Sequence, residues 1–418
     1  MEATRSRGRT VAQLSLLLAM LYFTSYITRL NFSAAMTEMI SVGILDKAQA
    51  GIIGSALFFT YGFGQIISGM LSDRFSPNAI ICLGLGITVS CNLLMPLVGD
   101  PILMALVWGV NGFAQAFFWP PLVSIMASCF DEGEYARGTL VISIGSHAAT
   151  ILIYVLIPLL LLWFDWRGVF FVAAAWAVLF AVAWLLFYPN LRKRLPQKES
   201  DAPSKIDAPR ESRAGQGTFR LMTASGVLIM LGAIAMQGFL KDGVQSWMPT
   251  FFTEVFQMSS SAAILSNVIL PIFNILVVTV ATSLYRKIIR HEVKEAILLF
   301  GLSVALCILL ALFFRSSAVL CLILASLITG CMHGINLMLI CFVPRRFSTC
   351  GKAATMTGVC NACSYVGSTA SSYGIALVAE KMGWQFTMFS WGAVALLGLG
   401  LCVWSMKKWN TFIQKENL

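Results

Sequence analysis

Long apolar segments recur along almost the whole sequence, and they restrict the fold more than any other feature. Many of them are about 20 residues long, which is the length a helix needs to cross roughly 30 Å of hydrocarbon. Of all residues, 58% are hydrophobic and only 11% are charged, and the mean hydropathy is +0.80. Two soluble domains could not bury so many segments of this length, and barrel strands would be about half as long and would alternate. The sequence therefore predicts an all-α membrane protein.

The segments, bounded by glycine, proline or charge, predict twelve transmembrane helices in two pseudo-symmetric six-helix bundles. One long polar stretch, residues 190–218, separates the sixth segment from the seventh and predicts a cytoplasmic linker between an N-terminal half, 1–189, and a C-terminal half, 219–418. The halves also repeat weakly: Arg29 corresponds to Lys241, and "FDWRGVFF" corresponds to "MGWQFTMF". The predicted spans are 12–39, 47–71, 79–98, 101–129, 138–162, 168–189, 221–251, 258–284, 294–313, 316–343, 353–379 and 383–406.

The basic residues predict the orientation of the chain. If the N-terminus is inside, the inner segments hold 23 Lys and Arg residues and the outer segments hold four. Because basic residues concentrate in cytoplasmic loops, this distribution predicts a multi-pass protein of the bacterial inner (plasma) membrane with both termini in the cytoplasm. It also explains the net charge of +10 without a nucleic-acid partner. The eleven cysteines lie mostly in apolar segments and predict neither disulfides nor a metal site.

Two cations lie inside predicted spans, and a charge at that depth is costly unless it faces a bundle interior or an aqueous cavity. Tyr22, Tyr26 and Arg29 follow one another at spacings of four and three, so the three side chains share one helix face. Arg29 and Lys241 lie at similar depths, which predicts that they face each other across a central cavity. Two such cations repel, so an anion, a carboxylate or water must offset them.

Two acidic residues offer an alternative partner for these cations. Glu38 lies in the first span, and Asp242 follows Lys241 directly. Consecutive helical residues point about 100° apart, so Asp242 is not an automatic partner of Lys241. Both acids also remain candidates for proton coupling.

The loop "GMLSDRFSPN", Gly69 to Asn78, lies between the second and third spans and resembles the signature loop of the major facilitator superfamily. In that family, the residues that correspond to Asp73 and Arg74 pair with neighbouring helix ends and hold an inner gate closed. An ordinary polar turn would also accommodate these residues. The corresponding loop of the second half, "LYRKIIRHEVKE", is basic and has no Asp-Arg pair.

The first span, "YFTSYITRLNFSAAM", is similar to that of the organophosphate:phosphate antiporters. Further similar stretches follow in order, including "GFAQAFFWPP", "GSHAAT", "FLKDGVQSWMPTFF" and "ACSYVGS". The resemblance implies that Arg29 and Lys241 bind a phosphate and that His147 joins them, although a lone histidine is also often a packing residue. It further implies that the cavity is lined by aromatic residues, namely Tyr22, Tyr26, Tyr61, Trp119 and Tyr365. The chain departs from the pattern at Lys241, where the exchangers have arginine, at Gln65, where they have lysine, and at Gly238, where they have tyrosine.

The chain has no nucleotide-binding, metalloprotease or complete Cys/His motif, so we expect neither an enzyme nor a primary pump, and no cofactor or metal. The residues and the resemblance together predict a secondary active transporter of a small organic anion that works by alternating access. The best candidate is an organic phosphate that is exchanged for inorganic phosphate. The expected partners are this anion and membrane lipid, with the chain itself a monomer. The alternatives are a proton-coupled symporter of carboxylates or sugar acids, an exporter of anionic drugs, and a membrane sensor that does not transport.

Overall fold

The fold is described from a computed structural model, over residues 2–72, 75–195, 218–347 and 352–416. All regular structure in these residues is helical. The first helices are α1 (Glu2–Ser41), α2 (Lys47–Ser72), α3 (Pro77–Leu94), α4 (Pro101–Gln115), α5 (Trp119–Cys129), α6 (Glu132–Leu160) and α7 (Trp166–Lys193). The later helices are α8 (Thr218–Ser225), α9 (Val227–Phe256), α10 (Ser260–Ser266), α11 (Ile269–Leu284), α12 (Glu292–Phe313), α13 (Ala318–Asn336), α14 (Val343–Arg345) and α15 (Ala353–Glu416).

The described residues contain eleven helical segments that are long and apolar enough to cross a membrane. The last of them, Thr355–Gln414, has 60 residues and would be about 90 Å long as one straight helix, far more than a bilayer requires. Gly383, with φ 80° and ψ 173°, interrupts it. A left-handed φ is accessible to glycine at little cost, so the chain turns here and the segment supplies two spans. The predicted twelve-helix fold is thereby confirmed.

The fourth predicted span is broken in the structure. The helix α4 ends at Gln115 and α5 begins at Trp119, followed by Pro120 and Pro121. Proline has no backbone N–H to donate, and it is tolerated in the first turn of a helix, where the N–H groups have no partner within that helix. The Trp-Pro-Pro sequence therefore starts a new helix and sets the position of the Trp119 ring.

The helices divide into two compact units. Unit 1 comprises Met1–Leu45 and Phe59–Ser204, and unit 2 comprises Asp46–Phe58 and Lys205–Leu418. The predicted domain boundaries remain a prediction, because residues 196–217 of the linker lie outside the described part of the chain. The first turns of α2 belong with unit 2, which the division of the sequence into halves did not anticipate.

In unit 1, α1 packs against α6 and α7, and α3 packs against α4, α5 and α7. The core of this unit includes Leu18, Leu122, Ile125 and Trp184, all of which are at most 1% exposed. Many large apolar side chains point outward; Trp163 is 84% exposed. Outward apolar residues are expected where lipid rather than water surrounds the protein.

In unit 2, α9 packs against α15 at very short range. A Cβ atom at Gly367 would overlap the carbonyl oxygen of Ala235, and a Cβ at Gly238 would overlap that of Ser364. Small residues allow this close approach, which is a common basis of helix association in membranes. The crossing sets the depth and rotation of the residues that flank Gly238 on α9.

The start of α2 is attached to the same unit by polar contacts. The Nζ of Lys47 lies 2.9 Å from Oε2 of Glu254, which also accepts a hydrogen bond from Nε1 of Trp384 at 2.7 Å. One turn further on, a Cβ at Gly51 would lie 2.7 Å from the carbonyl oxygen of Ser372. The hydroxyl of Ser55 donates to the carbonyl of Thr369 at 2.8 Å. These contacts explain why the beginning of α2 is assigned to unit 2.

We predict that Gly367→Ala destabilises the protein, because the added methyl group has no room against the backbone of α9. Overpacking of this kind costs roughly 1–3 kcal/mol, and we expect a lower Tm of the detergent-purified protein. Gly358→Ala is the matched control, since it lies in the same helix and a Cβ there would have nothing within 4 Å. An equal loss of Tm in both variants would contradict the assignment of a tight crossing at Gly367.

Candidate functional site

Arg29 lies among aromatic rings in unit 1. Its guanidinium carbon is 4.3 Å from the centroid of the Tyr26 ring and 5.1 Å from that of Tyr61. The ring of Tyr22 lies 5.1 Å from that of Tyr26 and 5.1 Å from that of Trp119. We call these five residues, Tyr22, Tyr26, Arg29, Tyr61 and Trp119, the Arg29 cluster. Ring faces attract a cation, so the cluster stabilises a guanidinium inside the span, and a guanidinium is the side chain whose planar N–H groups best match an anion.

Three elements bring this cluster together. The spacing of Tyr22, Tyr26 and Arg29 places them on one face of α1, as the sequence predicts. Tyr61 comes from α2 and is 3% exposed. Trp119 is placed by the break between α4 and α5. The sequence alone could align the residues of α1 but not the rings contributed by the other helices.

A neighbouring face of α1 is held by buried amides that sequence reasoning missed. The carbonyl of Thr28, next to Arg29, accepts hydrogen bonds from Nδ2 of Asn92 at 3.2 Å and from Nδ2 of Asn111 at 3.0 Å. The amide of Asn31 donates to Oδ1 of Asn92 at 2.7 Å. These bonds join α1 to α3 and α4, and Thr28 and the three asparagines are fully buried. The presence of asparagines within otherwise apolar spans is the feature of the sequence that could have indicated these hydrogen bonds.

Gln115 of α4 completes this network. Its Nε2 donates to the hydroxyl of Thr28 at 2.9 Å, and its Oε1 accepts from the hydroxyl of Ser25 at 2.6 Å. A buried amide in a membrane is costly without partners, and here both ends have one. The rotation of α1 is thereby set, and with it the direction of Arg29.

Lys241 lies near the middle of α9 in unit 2. Its Nζ is 5.6 Å from the centroid of the Tyr365 ring and 3.4 Å from Oδ2 of Asp242. The hydroxyl of Ser368 donates to the same Oδ2 at 2.5 Å. We call Lys241, Asp242, Tyr365 and Ser368 the Lys241 cluster. It joins α9 to α15, and its lysine and aspartate side chains are 14% and 18% exposed.

The structure therefore pairs Asp242 with Lys241, which the angle between consecutive helical residues did not favour. The long lysine stem allows Nζ to bend back, and Ser368 draws the carboxylate toward α15. Glu38, the other acidic candidate, accepts a hydrogen bond from the hydroxyl of Ser41 at 3.3 Å, near the end of α1. Nine residues, or about 13 Å of helix, separate Glu38 from Arg29.

The tight crossing of α9 and α15 explains one departure from the antiporter pattern. Gly238 stands where the exchangers carry a tyrosine, and even a Cβ here would overlap the carbonyl of Ser364. The side chains around it bond across the crossing, since the hydroxyl of Ser364 donates to Oε1 of Gln237 at 3.1 Å. A tyrosine at position 238 is incompatible with this packing.

Gln65 is a second departure, on α2 one turn after Tyr61. Its Nε2 is buried and has no hydrogen-bond partner among the residues that the structure describes. An unpartnered buried donor is costly, so this amide is a candidate to donate to a ligand.

His147 lies on α6, and its Nδ1 is 2.7 Å from the carbonyl oxygen of Ser143 in the same helix. Because a carbonyl oxygen only accepts, Nδ1 carries the proton and Nε2 is the atom available to a ligand. Gly145 permits the close approach of this helix to α1, since a Cβ at Gly145 would lie only 3.0 Å from the carbonyl oxygen of Ala19. The hydrogen bonds of the described residues do not join His147 to the Arg29 cluster, so its role remains a prediction.

The predicted gating residues, Asp73 and Arg74, lie outside the described residues. Two ion-pair groups that the sequence did not identify lie near helix ends. In unit 1, Nη2 of Arg7 lies 2.9 Å from Oδ2 of Asp131 and 3.1 Å from Oε2 of Glu134. In unit 2, Nη2 and Nε of Arg346 lie 2.8 Å and 3.0 Å from Oε1 of Glu292. The basic loop of the second half thus contains an acid with an arginine partner, although that partner comes from a later segment.

Known proteins are similar to this chain over most of its length. The family model described as the Major Facilitator Superfamily matches residues 18–372. A "Probable hexose phosphate transport protein" of Chlamydia pneumoniae is 26% identical, with 93% of this chain and 90% of that protein covered. The "Membrane sensor protein UhpC" of Salmonella typhimurium is 27% identical over 38% of this chain and 36% of that protein.

A solved structure is similar over nearly the whole chain. The crystal structure of a bacterial homologue of the human lysosomal transporter Spinster has a TM-score of 0.78 and 17% identity, with 96% of this chain and 98% of that chain covered. At this identity the likeness describes the fold.

We predict that Gln115→Leu lowers the Tm of the purified protein by a few degrees, because two buried hydrogen bonds to α1 are lost. Hydrogen bonds between membrane helices are worth about 0.6 kcal/mol each, and up to about 1.7 kcal/mol. Gln414→Leu is the control, since Gln414 is exposed on α15. An unchanged Tm for Gln115→Leu would mean that the amide network does not hold α1.

Proposed function

The chain belongs to the Major Facilitator Superfamily, and from this premise we propose that it is a secondary active transporter that exchanges an organic phosphate for inorganic phosphate. The name of the relative from Chlamydia pneumoniae supports a hexose phosphate as the organic substrate. Members of this family are transporters and not enzymes, so the chemistry consists of binding and release. We further propose that the protein lies in the bacterial inner membrane with both termini in the cytoplasm, on the strength of its basic residues.

The Arg29 cluster carries this proposal. A guanidinium presents a planar fork of N–H donors that matches two phosphate oxygens at once, and rings on its faces restrict its orientation. The hydroxyl groups of tyrosines in the cluster are additional donors. A guanidinium inside the membrane is costly, and contact with a phosphate would lower that cost where a neutral substrate would not.

We propose that Lys241 of unit 2 acts on the same anion as Arg29. The two cations come from different units, so an anion that contacts both would stabilise the conformations through which the carrier passes during transport. Without an anion the two charges repel, and reorientation of the empty carrier is slow. This difference would make exchange obligatory, because the binding site reorients across the membrane efficiently only when an anion is bound.

Two alternatives differ in what they require. A proton-coupled symporter of carboxylates would use Asp242 or Glu38 as a proton site and would depend on a pH gradient. A membrane sensor would bind the same anion without flux, and the relative named a membrane sensor protein keeps this alternative open. Exchange of labelled phosphate separates both alternatives from the antiporter.

We predict that purified protein in liposomes loaded with phosphate takes up labelled phosphate and labelled glucose 6-phosphate by exchange. Arg29→Lys loses the fork that matches phosphate, and Lys241→Ala loses a cation, so we expect each to lower the rate by about tenfold or more, equivalent to one lost charged hydrogen bond. Lys241→Arg, which restores the residue of the exchangers, should retain exchange.

Arg315→Lys is the control for the arginine change, since Arg315 is exposed outside the spans. Binding without exchange would favour the sensor. Uptake that ignores internal phosphate and follows the pH gradient would favour the symporter. If Arg29→Lys and Lys241→Ala both exchanged at the normal rate, the assignment of these two residues to the binding site would be wrong.

A further inference from the structure

We propose that Asp242 adapts the site to a phosphate ester that also carries an ammonium group, such as the phosphate of an amino sugar. The inference rests on the proposed function, because it assumes that Lys241 contacts the anionic part of the substrate. In addition to the cation that binds the phosphate, the protein then offers an acid that binds a cationic group of the substrate, and this narrows the class of substrate.

The Asp242 carboxylate has one oxygen in use and one available. Oδ2 accepts the Ser368 hydroxyl at 2.5 Å and lies 3.4 Å from Nζ of Lys241. Oδ1 accepts no hydrogen bond from the residues that the structure describes, and the side chain is 18% exposed. A second carboxylate oxygen that is partly exposed in this way is suited to accept a charge-assisted hydrogen bond from an ammonium group of a ligand.

The ion pair with Lys241 is not the shortest contact of Asp242. A charge-assisted N–H···O bond is usually about 2.7–2.9 Å long, and the distance from Lys241 to Asp242 is 3.4 Å. The short contact of the carboxylate is with Ser368 of α15. Asp242 is therefore held by α15 while Lys241 stays partly available, which is the arrangement needed to offer an acid and a cation side by side.

The charges favour the same class of substrate. A phosphate ester carries about two negative charges at neutral pH. Within unit 2, Asp242 offsets the charge of Lys241, so this pair presents no net positive charge to such an ester. An ammonium group on the substrate pairs with the acid and leaves Lys241 to the phosphate. A dianionic sugar phosphate without such a group meets like-charge repulsion from Asp242.

The test uses two probes that differ in one group, glucosamine 6-phosphate and glucose 6-phosphate. Each is measured as an inhibitor of phosphate:phosphate exchange in liposomes and by thermal shift of the purified protein. We expect the native protein to bind glucosamine 6-phosphate about tenfold more tightly, as one charged hydrogen bond would provide. In Asp242→Asn the preference should disappear, with glucose 6-phosphate bound more tightly than before because the repulsion is gone.

Ser368→Ala, which releases the carboxylate without removing its charge, should reduce the preference only partly, and it provides a second test if Asp242→Asn does not fold. Glu380→Gln is the control, since it removes an exposed carboxylate of unit 2 and should keep the native preference. Equal binding of the two probes by the native protein would overturn the inference. A parallel weakening of both probes in Asp242→Asn would also overturn it, since Asp242 would then only neutralise Lys241.

The same liposomes separate this inference from the proposed function. If phosphate exchanges for phosphate but neither probe is preferred, the inference fails and the antiporter stands. If the native protein exchanges no phosphate, the antiporter fails and the inference, which rests on it, fails too.

Discussion

Hydrocarbon offers no hydrogen bonds, so polar groups inside the membrane must find their partners within the protein. The backbone satisfies this requirement by forming a helix in each described segment that is long and apolar enough to span a membrane, because a helix pairs its own N–H and C=O groups. The side chains satisfy it locally: the guanidinium of Arg29 lies against two tyrosine rings, and the ammonium of Lys241 lies beside an acid and a ring. Charges at this depth are costly, and the rings and the acid around these two cations lower that cost.

The two units position their cations by different means. In unit 1, buried amides of α3 and α4 hold α1 by hydrogen bonds on a face next to that of Arg29. In unit 2, glycines let α9 and α15 meet so closely that backbone atoms are in contact, and serines supply the polar groups at the crossing. The second arrangement brings a carboxylate next to the lysine, whereas the environment of Arg29 is aromatic. A weak sequence repeat has thus produced two chemically distinct environments for the two cations.

Several predictions from the sequence are confirmed. The chain is similar over most of its length to a hexose phosphate transport protein, so the resemblance to the organophosphate:phosphate antiporters holds. The described residues contain eleven apolar helical segments, and Gly383 divides the last one into two spans, which makes twelve. Tyr22, Tyr26 and Arg29 share a face as their spacing predicts. The sequence missed the Asn92 and Asn111 bonds to Thr28, because their partner is a carbonyl on another helix. It also did not anticipate the pair of Arg346 with Glu292, which are 54 residues apart. The roles of Asp73 and Arg74 remain predictions.

The sequence by itself determined the membrane environment, the number of spans and the presence of two cations inside them, because these depend on segment length, composition and local periodicity. Only the tertiary structure decided which groups surround each cation. Tyr61, Trp119, Tyr365 and Ser368 lie on other helices than the cations they accompany, and their distances depend on how closely helices pack. That closeness is set by single glycines and buried amides, whose effect cannot be seen until the partner helix is in place.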